Sequence, residues 1–232
     1  MGQSDPAYIE VGGRSIAYRS RVGNEPTLVF LPGYASDMEG TKALALDAFA
    51  ERRRLTMLRF DYSGTGLSKG RFEDGTLSAW LEETLAVVDE LSAGPLILIG
   101  SSMGGWLALH LALLRPDRIQ ALVGVAAAPD FTNWGFADGA TAMQQGLALG
   151  FWQSGQRMLL LDGEIGIDCP VRLLHGELDS DVPLDVAFRT LRAVRSADVQ
   201  LKVLKGGGHR LSEPHEINAL LRTVAEFLEP VA

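Results

Sequence analysis

Cysteine is nearly missing from this chain. Cys169 is the single one among 232 residues. No intrachain disulfide can form, which fits a reducing compartment. Basic excess is also missing. Lys and Arg total 21 against 29 Asp and Glu, a formal net charge of −8, and no Lys/Arg run interrupts the sequence. That balance argues against a nucleic-acid surface. No apolar run reaches the ~18 residues that would span a bilayer. The four histidines are scattered, and no Cys/His pair has ligand spacing, so no metal is expected. No dinucleotide fingerprint follows the first apolar strand, so no nicotinamide cofactor, and no cofactor of any kind, is expected. Internal repeats and low-complexity tracts are absent. The stretch Met1-Gly2-Gln3-Ser4-Asp5-Pro6 has no basic start followed by an apolar core, so no signal peptide is expected. Pro6 stands where a myristoylation signal wants Ser or Thr.

What is there suits one sizeable core. The length fits roughly one α/β domain, and 47% hydrophobic with 22% charged residues is an ordinary globular mixture. Tyr8–Val11 and Ser15–Tyr18 flank Gly12-Gly13 and predict an N-terminal hairpin. Thr27–Leu31, Leu55–Phe60, Pro95–Ile99, Ala121–Val125, Val171–His175 and Val199–Leu204 predict further strands. Helical patterns run over Lys42–Arg53, Ser78–Leu91, Trp106–Leu114, Leu184–Val194 and Glu216–Phe227. Strands that alternate with helices predict an α/β fold: a mostly parallel sheet covered on both faces, with its chemistry beyond the C-terminal strand ends. Phe131 to Cys169 breaks the alternation. It predicts a short cap, residues 131–170, over a core formed by 1–130 and 171–232. A packed helical crossover with its aromatics in the core is the alternative.

The chemistry centres on Gly100-Ser101-Ser102-Met103-Gly104. A Gly-x-Ser-x-Gly between an apolar strand and a helix is a candidate nucleophile elbow, and Ser102 is its central serine. Ser101 stands beside it. Glycines at 100 and 104 suit a turn in which side chains would collide. A serine hydroxyl needs a base and a group to orient that base. Both partners follow later strands. Gly206-Gly207-Gly208-His209 offers His209 as general base and acid. His175-Gly176-Glu177-Leu178-Asp179-Ser180-Asp181 offers Asp179 as the orienting carboxylate, with Asp181 and Asp130 as alternatives. His175, His110 and His215 read as structural. For the oxyanion, the backbone N–H groups of Met103 and Tyr34 are expected donors. Tyr34, Tyr62, Trp134, Phe151 and Trp152 are the expected substrate-lining side chains, the aromatics of the cap holding an acyl chain.

At these residues the chain resembles the α/β-hydrolases: Leu31-Pro32-Gly33, Asp61-Tyr62-Ser63-Gly64-Thr65-Gly66, the elbow, His175-Gly176 through Pro183, and Gly208-His209. Longer stretches are similar to one branch of that family. These are Leu31 to Met38 with Gly40-Thr41-Lys42-Ala43, Arg59 to Gly64, Gly100 to Leu107, and Arg172 to Gly176. The branch holds the mitochondrial palmitoyl-protein thioesterase, also described as an acyl-glucuronide esterase, and its bacterial relatives. The likeness covers nearly the whole chain and is weakest over Phe131 to Cys169, which is shorter than the usual insertion. It implies an α/β-hydrolase fold with an eight-stranded sheet. It also implies a serine hydrolase acting on thioesters or esters of small molecules or acylated proteins. A carboxylesterase or acyl-glucuronide esterase without thioester preference is the nearest alternative, and a non-catalytic hydrolase-fold binding protein is the alternative of another class. A start close to the first strand leads us to expect a bacterial cytoplasmic enzyme.

Overall fold

The structure is a computed structural model describing residues 5–228. Met1 to Ser4, part of the N-terminal stretch read above, lie outside the described residues. The chain opens with strands β1 (Ala7–Val11), β2 (Arg14–Arg21) and β3 (Asn24–Leu31), then helix α1 (Thr41–Arg53) and strand β4 (Leu55–Phe60). Helix α2 (Leu77–Leu91), strand β5 (Leu96–Ser101), helix α3 (Met103–Leu114) and strand β6 (Ile119–Val125) follow. Three short helices come next: α4 (Phe131–Trp134), α5 (Gly139–Gln144) and α6 (Leu149–Gln156). The chain closes with β7 (Val171–Gly176), α7 (Leu184–Ala193), β8 (Val199–Leu204) and α8 (Pro214–Ala225).

The eight strands form one sheet in the order β1-β2-β4-β3-β5-β6-β7-β8. The β1–β2 and β2–β4 pairs are antiparallel, and every pair from β4–β3 to β7–β8 is parallel. The sheet is mostly parallel, as the alternation of elements predicts, with the hairpin adding an antiparallel edge.

Strand alternation sorts side chains into two cores. Val29, Leu31, Leu96 and Leu98 face the layer holding Trp80 of α2 and Trp106 of α3. Leu28, Phe30, Ile97 and Ile99 face the other layer, with Leu46 and Phe49 of α1 and Leu220 of α8. Each fully buried aliphatic side chain of this kind stabilises the fold by about 1.5–3 kcal/mol against leaving it in water. Helix α3 is apolar on nearly every side and is buried accordingly.

The 131–170 segment holds α4, α5 and α6 and then runs without regular structure to β7. Its inner residues Ala142, Leu147 and Phe151 are continuous with the α2–α3 core. Asp130, in left-handed backbone at φ 60°, clamps the far end of the segment. Its carboxylate accepts the N–H groups of Leu160 (2.9 Å) and Leu161 (2.7 Å). Met158 is held too, its carbonyl accepting from Trp106 Nε1 at 3.1 Å and facing His110 Nε2 at 2.9 Å.

Candidate active site

The turn from β5 into α3 is tight because two glycines permit it. A Cβ on Gly100 would lie 2.3 Å from the Gly104 carbonyl oxygen, and one on Gly104 would lie 2.1 Å from that of Leu31. Real Cβ atoms do not approach backbone so closely. The strain falls on Ser102, whose φ of 53° and ψ of −120° lie outside the ordinary regions for a residue with a side chain. Ser102 N–H donates to the Val125 carbonyl at 2.9 Å, tying the turn to the next strand. Its hydroxyl makes no cap bond to α3 and points to His209 instead.

His209 Nε2 lies 3.1 Å from Ser102 Oγ, and Nδ1 lies 3.0 Å from Asp179 Oδ2. The Asp179 side chain is 1% exposed and that of His209 22%, so the carboxylate is dry while the imidazole opens to the cavity. Burial alone would push the Asp179 carboxyl up. The hydrogen bond from His209, the N–H groups of Val182 and Asp181, and the His209 charge outweigh it and hold the group below the usual carboxylate range. Oδ1 accepts both N–H groups at 2.9 Å. Of the alternative acids, Asp181 is exposed and lends its backbone to Asp179, while the Asp130 carboxylate is committed to Leu160 and Leu161.

The loop after β3 runs beside the serine. Gly33 sits so close that a Cβ there would be 3.3 Å from the Cβ of Ser102. The loop is anchored at Met38, whose N–H donates to buried Asp61 at 2.7 Å and whose carbonyl accepts from buried Arg59 at 2.6 Å. Among the described residues, neither the N–H of Tyr34 nor that of Met103 meets a protein acceptor.

Two cavities open at Ser102, His209 and Tyr34. One, of about 260 Å³, is lined by Phe131, Trp134, Phe136 and Val182; the other, of about 430 Å³, runs past Thr41, Lys42, Arg210 and Ser212. Trp134 and the Tyr34 ring therefore stand at the cavity. The other expected lining residues do not. Tyr62 is fully buried, stacks on Trp80 at 5.1 Å and gives its hydroxyl to the Pro32 carbonyl at 3.2 Å. Phe151 is 1% exposed and packs edge-on behind Tyr34 at 5.0 Å. Trp152 packs on Gly139 between α5 and α6. Tyr62 and Phe151 correct the expectation because a large ring gains more from the core than from a wet cavity, while Trp152 is half-buried and turned to Gly139. Lys42 and Arg210 were not foreseen. The Lys42 side chain reaches the Arg210 backbone carbonyl across 168 residues of sequence, and although Lys42 lies in a stretch that carries the family resemblance, nothing in that stretch points to this contact.

A family model described as the alpha/beta hydrolase fold matches residues 26–156. The chain belongs to that family. It is similar to the mitochondrial palmitoyl-protein thioesterase ABHD10 of Homo sapiens, with 35% identity over 238 residues, 94% of this chain and 78% of the relative. Among solved structures, alpha/beta hydrolase domain-containing protein 10 from mouse superposes with a TM-score of 0.90 at 31% identity, covering 97% of this chain and 98% of that one. A putative hydrolase from Agrobacterium vitis S4 gives 0.91 at 35%, covering 97% and 99%. These likenesses make the chain a hydrolase relative. No described helix is long and apolar enough to cross a membrane, and no cluster of metal-ligating side chains occurs among the described residues.

Proposed function

We propose that this protein is a serine hydrolase that cleaves acyl thioesters or carboxylic esters through an acyl-serine intermediate, with acyl-protein thioesterase-like activity. The observation that carries this reading is the hydrogen-bonded line from Asp179 through His209 to Ser102. In the proposed cycle, His209 Nε2 takes the Ser102 proton as Oγ attacks the acyl carbonyl. Nδ1–H donates to Asp179, which fixes the tautomer and stabilises the imidazolium. The N–H groups of Tyr34 and Met103 receive the developing oxyanion, aided by the N-terminus of α3. The imidazolium then protonates the departing oxygen or sulfur. Water, deprotonated by His209, attacks the acyl carbon; the bond to Ser102 Oγ then breaks, the imidazolium returns its proton to Oγ, and the carboxylic acid leaves.

Residues 131–170 act as a short cap whose Phe131 and Trp134 border the acyl chain. The thioester preference rests on the named activity of the relatives. An oxygen-ester enzyme would use the same residues, so kcat/KM on matched oxygen and sulfur esters separates the two. The lone cysteine fits a reducing compartment, and the relatives are named as mitochondrial.

The test is Ser102→Ala assayed on p-nitrophenyl esters, acyl-CoA and S-acyl peptides. The expected result is a fall in kcat of about 10³-fold or more with the fold intact. Undiminished turnover would sink the proposal.

A further inference from the structure

The two cavities that meet at Ser102 differ in kind. The one bordered by Phe131, Trp134, Phe136 and Val182 is apolar along those walls. The other carries Lys42 and Arg210, with Ser36, Thr41 and Ser212 between them. An acyl-enzyme cycle separates its substrate into two parts at the same point. The acyl part stays on Oγ, and the leaving group departs with the proton from His209 Nε2. An aliphatic chain gains from burial only against apolar walls. Laid along Lys42 and Arg210 it would strip water from two cations and return nothing. The chemistry of the walls therefore sends the acyl chain toward Phe131 and the leaving group toward Arg210.

Arg210 follows His209 directly. Its side chain is exposed, and among the described residues its guanidinium forms no ion pair. Its backbone, by contrast, is fixed: Lys42 Nζ donates to the Arg210 carbonyl at 2.5 Å, tying α1 to the loop that carries His209. Asp37 also edges the cleft, with Oδ1 accepting the Glu39 N–H at 2.8 Å. The buried Glu216 carboxylate acts on Lys42, whose ammonium burial weakens, so the exposed Arg210 guanidinium is the cation this cleft offers to a ligand. A guanidinium presents a planar fork that matches carboxylate and phosphate oxygens.

We infer that this cleft is the leaving-group subsite and that it selects leaving groups bearing an oxyanion, a carboxylate or a phosphate, which pairs with Arg210. Lys42 holds the loop from which Arg210 projects. The inference rests on the reading of Ser102 as the acyl-accepting nucleophile, and names what that nucleophile displaces.

Octanoyl esters of 4-hydroxybenzamide, 4-hydroxybenzoate and 4-hydroxyphenyl phosphate share one acyl chain and differ in leaving-group charge. The anionic esters are expected to exceed the neutral one in kcat/KM by roughly fivefold to tenfold. Added salt should shrink that ratio, and Arg210→Gln should bring it near one. The carboxylate and phosphate arms show which oxyanion is preferred. Binding of free 4-hydroxybenzoate and 4-hydroxybenzamide to Ser102→Ala, followed by NMR, reads the same subsite without turnover. Tighter binding of the benzoate, lost with Arg210→Gln, is the expected result. Equal binding of the two, a ratio that survives Arg210→Gln, or a preference that appears only when the charge sits at the acyl terminus would overturn the inference. If the esters are not turned over but the benzoate binds through Arg210, the subsite stands and the hydrolase reading fails.

Discussion

His175 Nε2 lies 3.5 Å from the same Asp179 oxygen that His209 contacts from the other side. His175 is 1% exposed at the end of β7 and also faces the Val182 carbonyl at 2.8 Å. It thus secures the far end of the loop whose N–H groups cradle Asp179. Loosening that loop would misplace the carboxylate, and through it the imidazole. His175→Leu is expected to lower kcat by about 10-fold to 100-fold, with a smaller change in KM. His175→Gln, which keeps a side-chain donor, should restore much of the loss. Steady-state kinetics beside thermal unfolding of both variants checks this; equal losses in the two would reduce His175 to a packing residue.

Asp179 and His209 act as one unit in the proposed cycle. Asp179→Asn leaves an amide where a carboxylate must accept Nδ1–H, so kcat should fall by about 10³–10⁴-fold, and His209→Gln should do the same. The depressed carboxyl also has a stability consequence. Its charged form is favoured in the folded state, so its contribution is full above the unfolded value of about 3.9 and fades as pH falls through the lower folded value. The Tm difference between wild type and Asp179→Asn should therefore be level from neutrality to about pH 5 and shrink below pH 4. A difference already fading near neutrality would contradict it.

Gly104→Ala tests the elbow as a packing problem. The new Cβ would stand 2.1 Å from the Leu31 carbonyl oxygen, and backbone on both sides leaves nothing flexible to yield. A loss of stability of more than about 3 kcal/mol is expected, measured by urea denaturation. A neutral effect would mean that the turn is far looser than its geometry.

Asp130 offers a test away from the nucleophile. Asp130→Ala removes the acceptor for the N–H groups of Leu160 and Leu161 and leaves two part-buried donors unpaired. The expected cost is about 2–3 kcal/mol. Hydrogen exchange should rise first at Leu160 and Leu161. Unchanged exchange there would contradict the clamp.

How far the sequence discloses these relationships depends on the kind of signal. The β5 strand and its elbow are legible because an all-apolar run ends in glycines that a sharp turn demands. His209 and Asp179 are legible because each follows a strand end, where a parallel sheet gathers its chemistry. The sheet's antiparallel edge follows from the Gly12-Gly13 hairpin. The cavity lining is another matter. Phe131, Trp134, Phe151 and Trp152 lie in helices too short to show a face, so nothing in the sequence separates Trp134 at the cavity from Phe151 behind Tyr34. Tyr62 follows Asp61 in a turn that reads as exposed. Only the position of Trp80 and the Pro32 carbonyl explains why it is buried. Lys42 and Arg210 are brought together by α1 and the His209 loop, a contact that composition and spacing cannot register.

The most direct measurement is covalent labelling with a fluorophosphonate, followed by peptide mass spectrometry of folded protein. The Asp179–His209–Ser102 line predicts one adduct, on Ser102, lost in Ser102→Ala and strongly slowed in His209→Gln. A folded protein that takes no label at Ser102, or takes it equally well without His209, would contradict the account.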